Sequence, residues 1–281
     1  MPFRLLLPAL ALGLVLSGCD AASTGPDAVA GDDIEDAAGA IADAVAMDGG
    51  GALDDASAAA LLTGDVTKGD DTRPGCTGDR TYDEAASLWR STISCERGNP
   101  DGRFYHAFSR TTTHQFLGAD GTPQQSPEDA ASVAFTIVEG SGQHLTPRAS
   151  AVLDDLGASF DIVRLDDDMV SVDGVYEREG VRTVYGRGDA EREVDYALSL
   201  NLDEVTGPRR TRNRWASAVS GSISGLYTAT VSVTTPGGET STREVERSFT
   251  VTFPTDGNAR RARIAIGGRS FDADPVTGEL L

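Results

Sequence analysis

Apolar and polar residues alternate with a period of two over most of this chain, and that alternation limits what it can fold into. Val194, Tyr196, Leu198, Leu200 and Leu202 are interleaved with Asp195, Ala197, Ser199 and Asn201. Tyr227, Ala229, Val231 and Val233 are interleaved with Thr228, Thr230, Ser232 and Thr234. After the turn Pro236-Gly237-Gly238, one face carries Val245, Arg247, Phe249, Val251 and Phe253. The other carries Glu244, Glu246, Ser248, Thr250 and Thr252. Successive side chains of a strand point to opposite faces, so each run reads as an antiparallel strand with one buried and one wet side. Further candidates are Tyr82 to Cys95, Phe104 to Leu117, Val133 to Val138, Ser159 to Leu165, Met169 to Tyr176, Val181 to Tyr185 and Ala262 to Ile266. Helical turns are expected only at Pro127 to Ser132 and Pro147 to Leu156. Residues 73–281 are therefore expected to be all-β, a single antiparallel meander of about ten strands. It would be barrel-like, calyx-like or a sandwich. Strands longer than the usual length favour a large curved sheet, and the immunoglobulin spacing of cysteines around a tryptophan is missing.

Residues 20–72 have a different composition. They hold no aromatic residue, and thirteen acids face the single base Lys68. Such a stretch offers little apolar surface to offset chain entropy, so residues 19–72 are expected to be a mostly disordered acidic tether. Two pieces have helical character. Ile34, Ala37, Ala38, Ile41 and Val45 follow helical spacing behind Asp32 and Asp33, and Ser57 to Leu62 is a weaker candidate. Gly49-Gly50-Gly51 separates them. Either they are transient turns in a spacer or they are a partner-binding helix; composition favours the spacer.

The first nineteen residues carry an address. Arg4 precedes an apolar run from Leu5 to Leu16, too short to span a bilayer and suited to a secretory signal. Leu16-Ser17-Gly18-Cys19 follows and resembles the lipobox of bacterial lipoproteins. The resemblance implies that residues 1–18 are a cleaved signal peptide and that Cys19 carries the lipid. It further implies anchoring in the cell envelope, on its periplasmic or cell-surface face, with the membrane as partner through Cys19.

Export bears on the other two cysteines. Cys76 and Cys95 would meet an oxidising compartment and are expected to form a disulfide; a metal pair is disfavoured because no Cys-x-x-Cys and no histidine at ligand spacing accompanies them. Charge bears on partners. The chain carries −20 at pH 7, and no basic face is large enough for phosphate backbones, so nucleic acid is not an expected partner.

Motifs for chemistry are sparse. Gly221-Ser222-Ile223-Ser224-Gly225 has the wrong register for a nucleophile elbow, and His-Glu-x-x-His, a phosphate loop and a dinucleotide fingerprint are absent. His106 and His114, eight apart on one strand, would be roughly 27 Å from each other and share no metal; they and His144 read as surface residues. Asp166-Asp167-Asp168, and Asp272 with Asp274 and Glu279, are weak calcium candidates that read better as turns. No cofactor, metal or catalytic residue is assigned. The one basic cluster is Arg209, Arg210, Arg212 and Arg214 before Trp215. Arg210, Arg212, Arg214 and Trp215 are the candidate anion or glycan contact, with the indole as a stacking platform. The competing reading pairs those arginines with Glu191, Glu193 and Asp195 across a hairpin.

The expected function is a membrane-anchored envelope lipoprotein with a non-enzymatic β domain for binding or assembly, its protein, glycan or lipid ligand unknown. Two alternatives stand beside it: a carrier of an apolar ligand in a curved sheet, and a carboxylate-dependent hydrolase.

Overall fold

A computed structural model describes residues 33–47, 50–63, 75–166, 168–253 and 261–281. The signal segment and Cys19 lie outside them. Two helices come first, α1 (Asp33–Val45) and α2 (Ala52–Leu62). Then come β1 (Cys76–Asp83), β2 (Leu88–Gly98), β3 (Tyr105–Leu117), β4 (Pro123–Gln124), β5 (Ser132–Leu145) and β6 (Ala149–Arg164). After them follow β7 (Met169–Tyr185), β8 (Glu191–Pro208), the short helix α3 (Trp215–Ala218), β9 (Ser220–Thr234), β10 (Thr240–Thr252), β11 (Ala262–Ile266) and β12 (Arg269–Ala273). Among the described residues the twelve strands form one open antiparallel sheet. Each strand lies beside its neighbour in sequence, except that β3 pairs with both β5 and the two-residue β4. The chain is thus the all-β meander that the alternation calls for.

Local departures have local causes. The segment Tyr82 to Cys95 is two strands, because Glu84 to Ser87 turn back, with Asp83 Oδ1 accepting from the backbone N–H of Ala85 and Ala86 and Ser87 at φ 53°. Pro147 to Leu156 is not helical; most of it belongs to β6, whose alternation outweighs its helix-tolerant composition. Pro127 to Ser132 forms a turn around Asp129 rather than a helix. Met169 to Tyr176 and Val181 to Tyr185 are one strand, β7, of 17 residues.

The long strands bend. Pairing register shifts near Thr111, Asp155, Val172 and Asp203, and each extra residue in a ladder kinks and twists its strand. Bending lets one face become concave. Val133, Phe135, Phe160, Ile162, Val172, Leu200, Leu202, Ile223, Val251 and Ile264 are buried on that face.

What fills the concavity is α1 and α2. Ile41, Val45, Leu53, Met47 and eight helix alanines share one buried cluster with the strand residues. Arg110 of β3 bonds Asp55 of α2 and the Gly50 carbonyl, while Arg243 of β10 bonds Asp33 of α1. Six strand spacings separate β3 from β10, about 30 Å if flat; the sheet curls so that both reach one helical hairpin. The expectation of a disordered tether therefore fails for residues 33–62. Taken alone, the segment lacks apolar bulk, but its alanines let both helices lie close against a ready-made face. Its acids meet arginines there: Arg192 pairs with Asp33 and Asp36, and Arg212 with Asp54. The expected Cys76–Cys95 disulfide is present, joining directly opposed residues of β1 and β2 at the sheet edge. Closing a loop of this size contributes roughly 3 kcal/mol.

Candidate functional site: a charged cleft at the upper end

In an antiparallel meander the turns collect alternately at two ends. The β2–β3, β5–β6, β7–β8, β9–β10 and β11–β12 turns define what is called here the upper end. Helix α1 starts there. Asp33 and Asp36 meet Arg192, one residue into β8, and Ile34 lies against the Gly267 turn between β11 and β12. The helix then crosses toward β7 and β5, bringing Asp43 beside Arg178, Arg182 and His144.

These side chains line the seam, a charged cleft, where α1 meets the inner face of β3, β5 and β7. Asp43, Arg182 and His144 are exposed, whereas Arg178 and His106 are half-buried. His106 of β3 and His144 of β5 are opposed in register, their rings 5.8 Å apart and steeply inclined. Arg178 Nε donates to the Tyr196 hydroxyl at 3.1 Å. Gly278 of the C-terminal turn closes the cleft from the side, and a Cβ there would stand 2.9 Å from the Asp43 Cα. Gly278 has φ 75°, a second reason for glycine. Crowding by protein pushes the Asp43 carboxyl above the usual carboxylate range, against the pull of Arg182, Arg178 and His144. His106 moves down, first through burial and then through His144 and Arg97. Among the described residues Asp43 and Arg182 face each other without a direct ion pair or hydrogen bond. Arg182 and His144 stand on one row of the sheet with Ala151 between them.

Deeper in the core a second set of charges is closed. Asp55 is buried against Arg110, and its Oδ2 has no hydrogen-bond partner. Burial raises its carboxyl to about 7, with Arg110 only partly offsetting this. The Tyr176 hydroxyl donates to the Gly50 carbonyl at 3.1 Å. This network locks the helical hairpin to the sheet and presents nothing to a ligand.

The basic cluster chosen from sequence splits. Trp215 is fully buried, its Nε1 donating to the Pro208 carbonyl at 2.7 Å and its ring covering Gly207, so it is no stacking platform. A strand would have put Arg212 and Arg214 on one face; the chain instead forms a 3₁₀ turn at Arg212–Arg214. Arg212 pairs with Asp54, and the buried Arg209 donates to the Thr63 carbonyl. Arg212 thus pairs with an acid of α2 and Arg209 with Thr63, the residue that ends that helix, rather than across the hairpin expected from sequence. Arg210 and Arg214 remain exposed at the lower end.

The histidine expectation also changes. His114 is 3 % exposed, accepts from Arg80 at Nε2 (3.0 Å), and packs on Trp89 and Phe116. Burial and Arg80 lower it to about 4. The two acidic turns behave as turns. Asp166 Oδ1 accepts from the N–H of Asp168 and Met169, and Asp274 Oδ1 from Val276. Asp272 pairs with Arg261 and Arg263, and Asp167 lies outside the described residues. Among the described residues no three metal-binding side chains converge.

The cleft was missed from sequence because its parts lie on α1, β3, β5 and β7. Only the pairing register makes His106 and His144 neighbours.

Comparison with known proteins adds no family. No family model, no curated protein and no solved structure matches this chain.

Proposed function

We propose that this chain is a lipid-anchored bacterial envelope lipoprotein whose β domain is a rigid, non-enzymatic binding module. The observation that carries the binding reading is the filled concavity. Side chains of α1 and α2 occupy the space an apolar cargo would need, which favours a surface ligand over a carried one. The open charged groups around Asp43, Arg182 and His144 are the contact offered to that ligand. The anchor rests on the lipobox resemblance at Leu16 to Cys19. Cells expressing the chain with radioactive palmitate should yield a labelled product, and Cys19→Ser should abolish the label. An unlabelled parent chain would end the anchoring reading.

One observation favours a second reading, the carboxylate-dependent hydrolase. A carboxyl raised by crowding and flanked by a histidine and two arginines is suited to proton transfer. A panel of ester and glycan substrates separates the two. For a binding module, Asp43→Asn leaves every rate at background, as in the parent. A parent rate that falls about 100-fold or more in Asp43→Asn would establish the hydrolase.

A further inference from the structure

Among the described residues the exposed aromatic side chains, Phe104 and Tyr185, are gathered at one end. Phe104, at the β2–β3 turn, is 66 % exposed and Tyr185, at the end of β7, is 43 % exposed. Tyr105 pairs with Leu145, Leu145 with Ser150, and the Ser150 hydroxyl lies 3.3 Å from that of Tyr185. Tyr105, Leu145 and Tyr185 therefore share one face at the outer rim of the upper end, with Phe104 in the adjoining turn. Arg103 and Arg148, both exposed, stand in the turns beside it. At the lower end the exposed large apolar residues are aliphatic, Val163 and Leu165, and that turn carries Asp166 and Asp168.

Chain length selects which end faces the lipid. Residues 20–32, thirteen in all, separate Cys19 from the start of α1. Thirteen residues reach at most about 45 Å. The start of α1 is fixed at the upper end by Asp33 on Arg192 and Arg243. The 18 residues of β8 carry the chain away to the lower end, roughly 60 Å along the strand. A Cys19-linked lipid thus holds the upper end near the bilayer and the lower end far from it.

Resting on the anchoring reading above, we propose that the upper rim is a membrane-docking surface, with Phe104 seated among lipid headgroups and Tyr105, Leu145 and Tyr185 around it. Phenylalanine and tyrosine suit that layer because each joins an apolar ring to a wet surrounding, and tyrosine adds a hydroxyl for the headgroups. Arg103 and Arg148 stand beside this rim, as do the exposed acids Glu96 and Asp101, so the aromatic rings rather than net charge carry the docking. The lipid sets the distance and the rim sets the orientation, so Arg182 and His144 lie at the end nearer the membrane and Arg210 and Arg214 at the far end.

The test uses the full lipidated chain in vesicles of phosphatidylethanolamine and phosphatidylglycerol, with or without bromine on the acyl chains. Phe104→Trp places an indole on the rim, and Leu165→Trp places one at the lower end. Trp89 and Trp215, both toward the lower end, supply a common background that the parent chain measures. A ring held about 5–10 Å into the headgroup region is within reach of bromine, and about twofold quenching of the added emission is expected for Phe104→Trp. None is expected for Leu165→Trp. Acylated chain that floats with the vesicles but shows no quenching at Phe104→Trp, or equal quenching at both sites, overturns the docking surface and leaves the anchor standing. A chain whose mass shows no acyl group on Cys19 overturns the anchor, and the docking proposal with it.

Discussion

Replacing His114 with glutamine is expected to make the folded protein lose stability as pH rises from about 4 to about 7, and replacing Asp55 with asparagine to make it lose stability as pH falls through nearly the same range. Asp55 is raised from 3.8 to about 7 by burial. The folded state then holds a proton that the unfolded chain releases, so its contribution is full below 3.8 and is lost as pH rises through about 7. His114 is lowered from 6.5 to about 4 by burial and by Arg80. Here the unfolded chain takes the proton first, so the contribution is full above 6.5 and is lost as pH falls through about 4. Each effect is on the order of 3–4 kcal/mol. In the parent they oppose one another and nearly cancel across the shared window. Each substitution removes one side of the balance. Asn and Gln keep the shape and a hydrogen bond for Arg110 and Arg80. Asp33, lowered by Arg243, and Asp36 and Asp43, raised by burial, stay in every chain and drop out of the comparison. Urea midpoints at about pH 4.5 and 7.5 measure it. Parallel pH profiles for parent and both variants would sink the assignment.

Deleting residues 33–63 is expected to abolish cooperative folding, whereas deleting residues 20–32 leaves the unfolding transition where it was. A spacer could be shortened without cost; a core cannot. Ile41, Val45, Met47 and Leu53 are at most 7 % exposed, all inside the curled sheet. Burying each contributes about 1.5–3 kcal/mol, and the four together approach the whole stability of an ordinary domain, roughly 5–15 kcal/mol. The deletion also strands Arg110 and Arg192, whose side chains are 11 % and 4 % exposed, without their carboxylates. Unpaired charge at such depth costs several kcal/mol more. Leu53→Ala tests the same point more gently and should cost about 2–5 kcal/mol. A sharp thermal transition retained by the chain lacking residues 33–63 would return this segment to the role of a tether.

The strands were legible because alternation is a local signal. Val194 to Leu202 and Val245 to Phe253 show it over consecutive residues, and both runs fall within or run just past β8 and β10. The disulfide was legible from the spacing of Cys76 and Cys95 and from the expectation of export. The helical spacing of Ile34 to Val45 was visible too, but not its burial. Nothing in thirteen acids and many alanines announces a core, since the arginines that accept those acids come from β3, β8 and β10, and from the turn after β8. Trp215 misled for the matching reason. Beside four arginines it read as a surface platform, while Gly207, facing it from β8, leaves room for the ring to sink in.

By itself the sequence determined the all-β meander and the cross-strand bridge, the first because alternation is written in neighbouring residues and the second because Cys76 and Cys95 stand a short loop apart. The tertiary structure alone decided that residues 33–62 pack against the sheet rather than serve as linker, that His114 is buried, and that Asp43, Arg182, His106 and His144 come together. Those facts depend on strand register and sheet curvature, which arise from pairings between residues far apart in the chain and from the bulges that bend them.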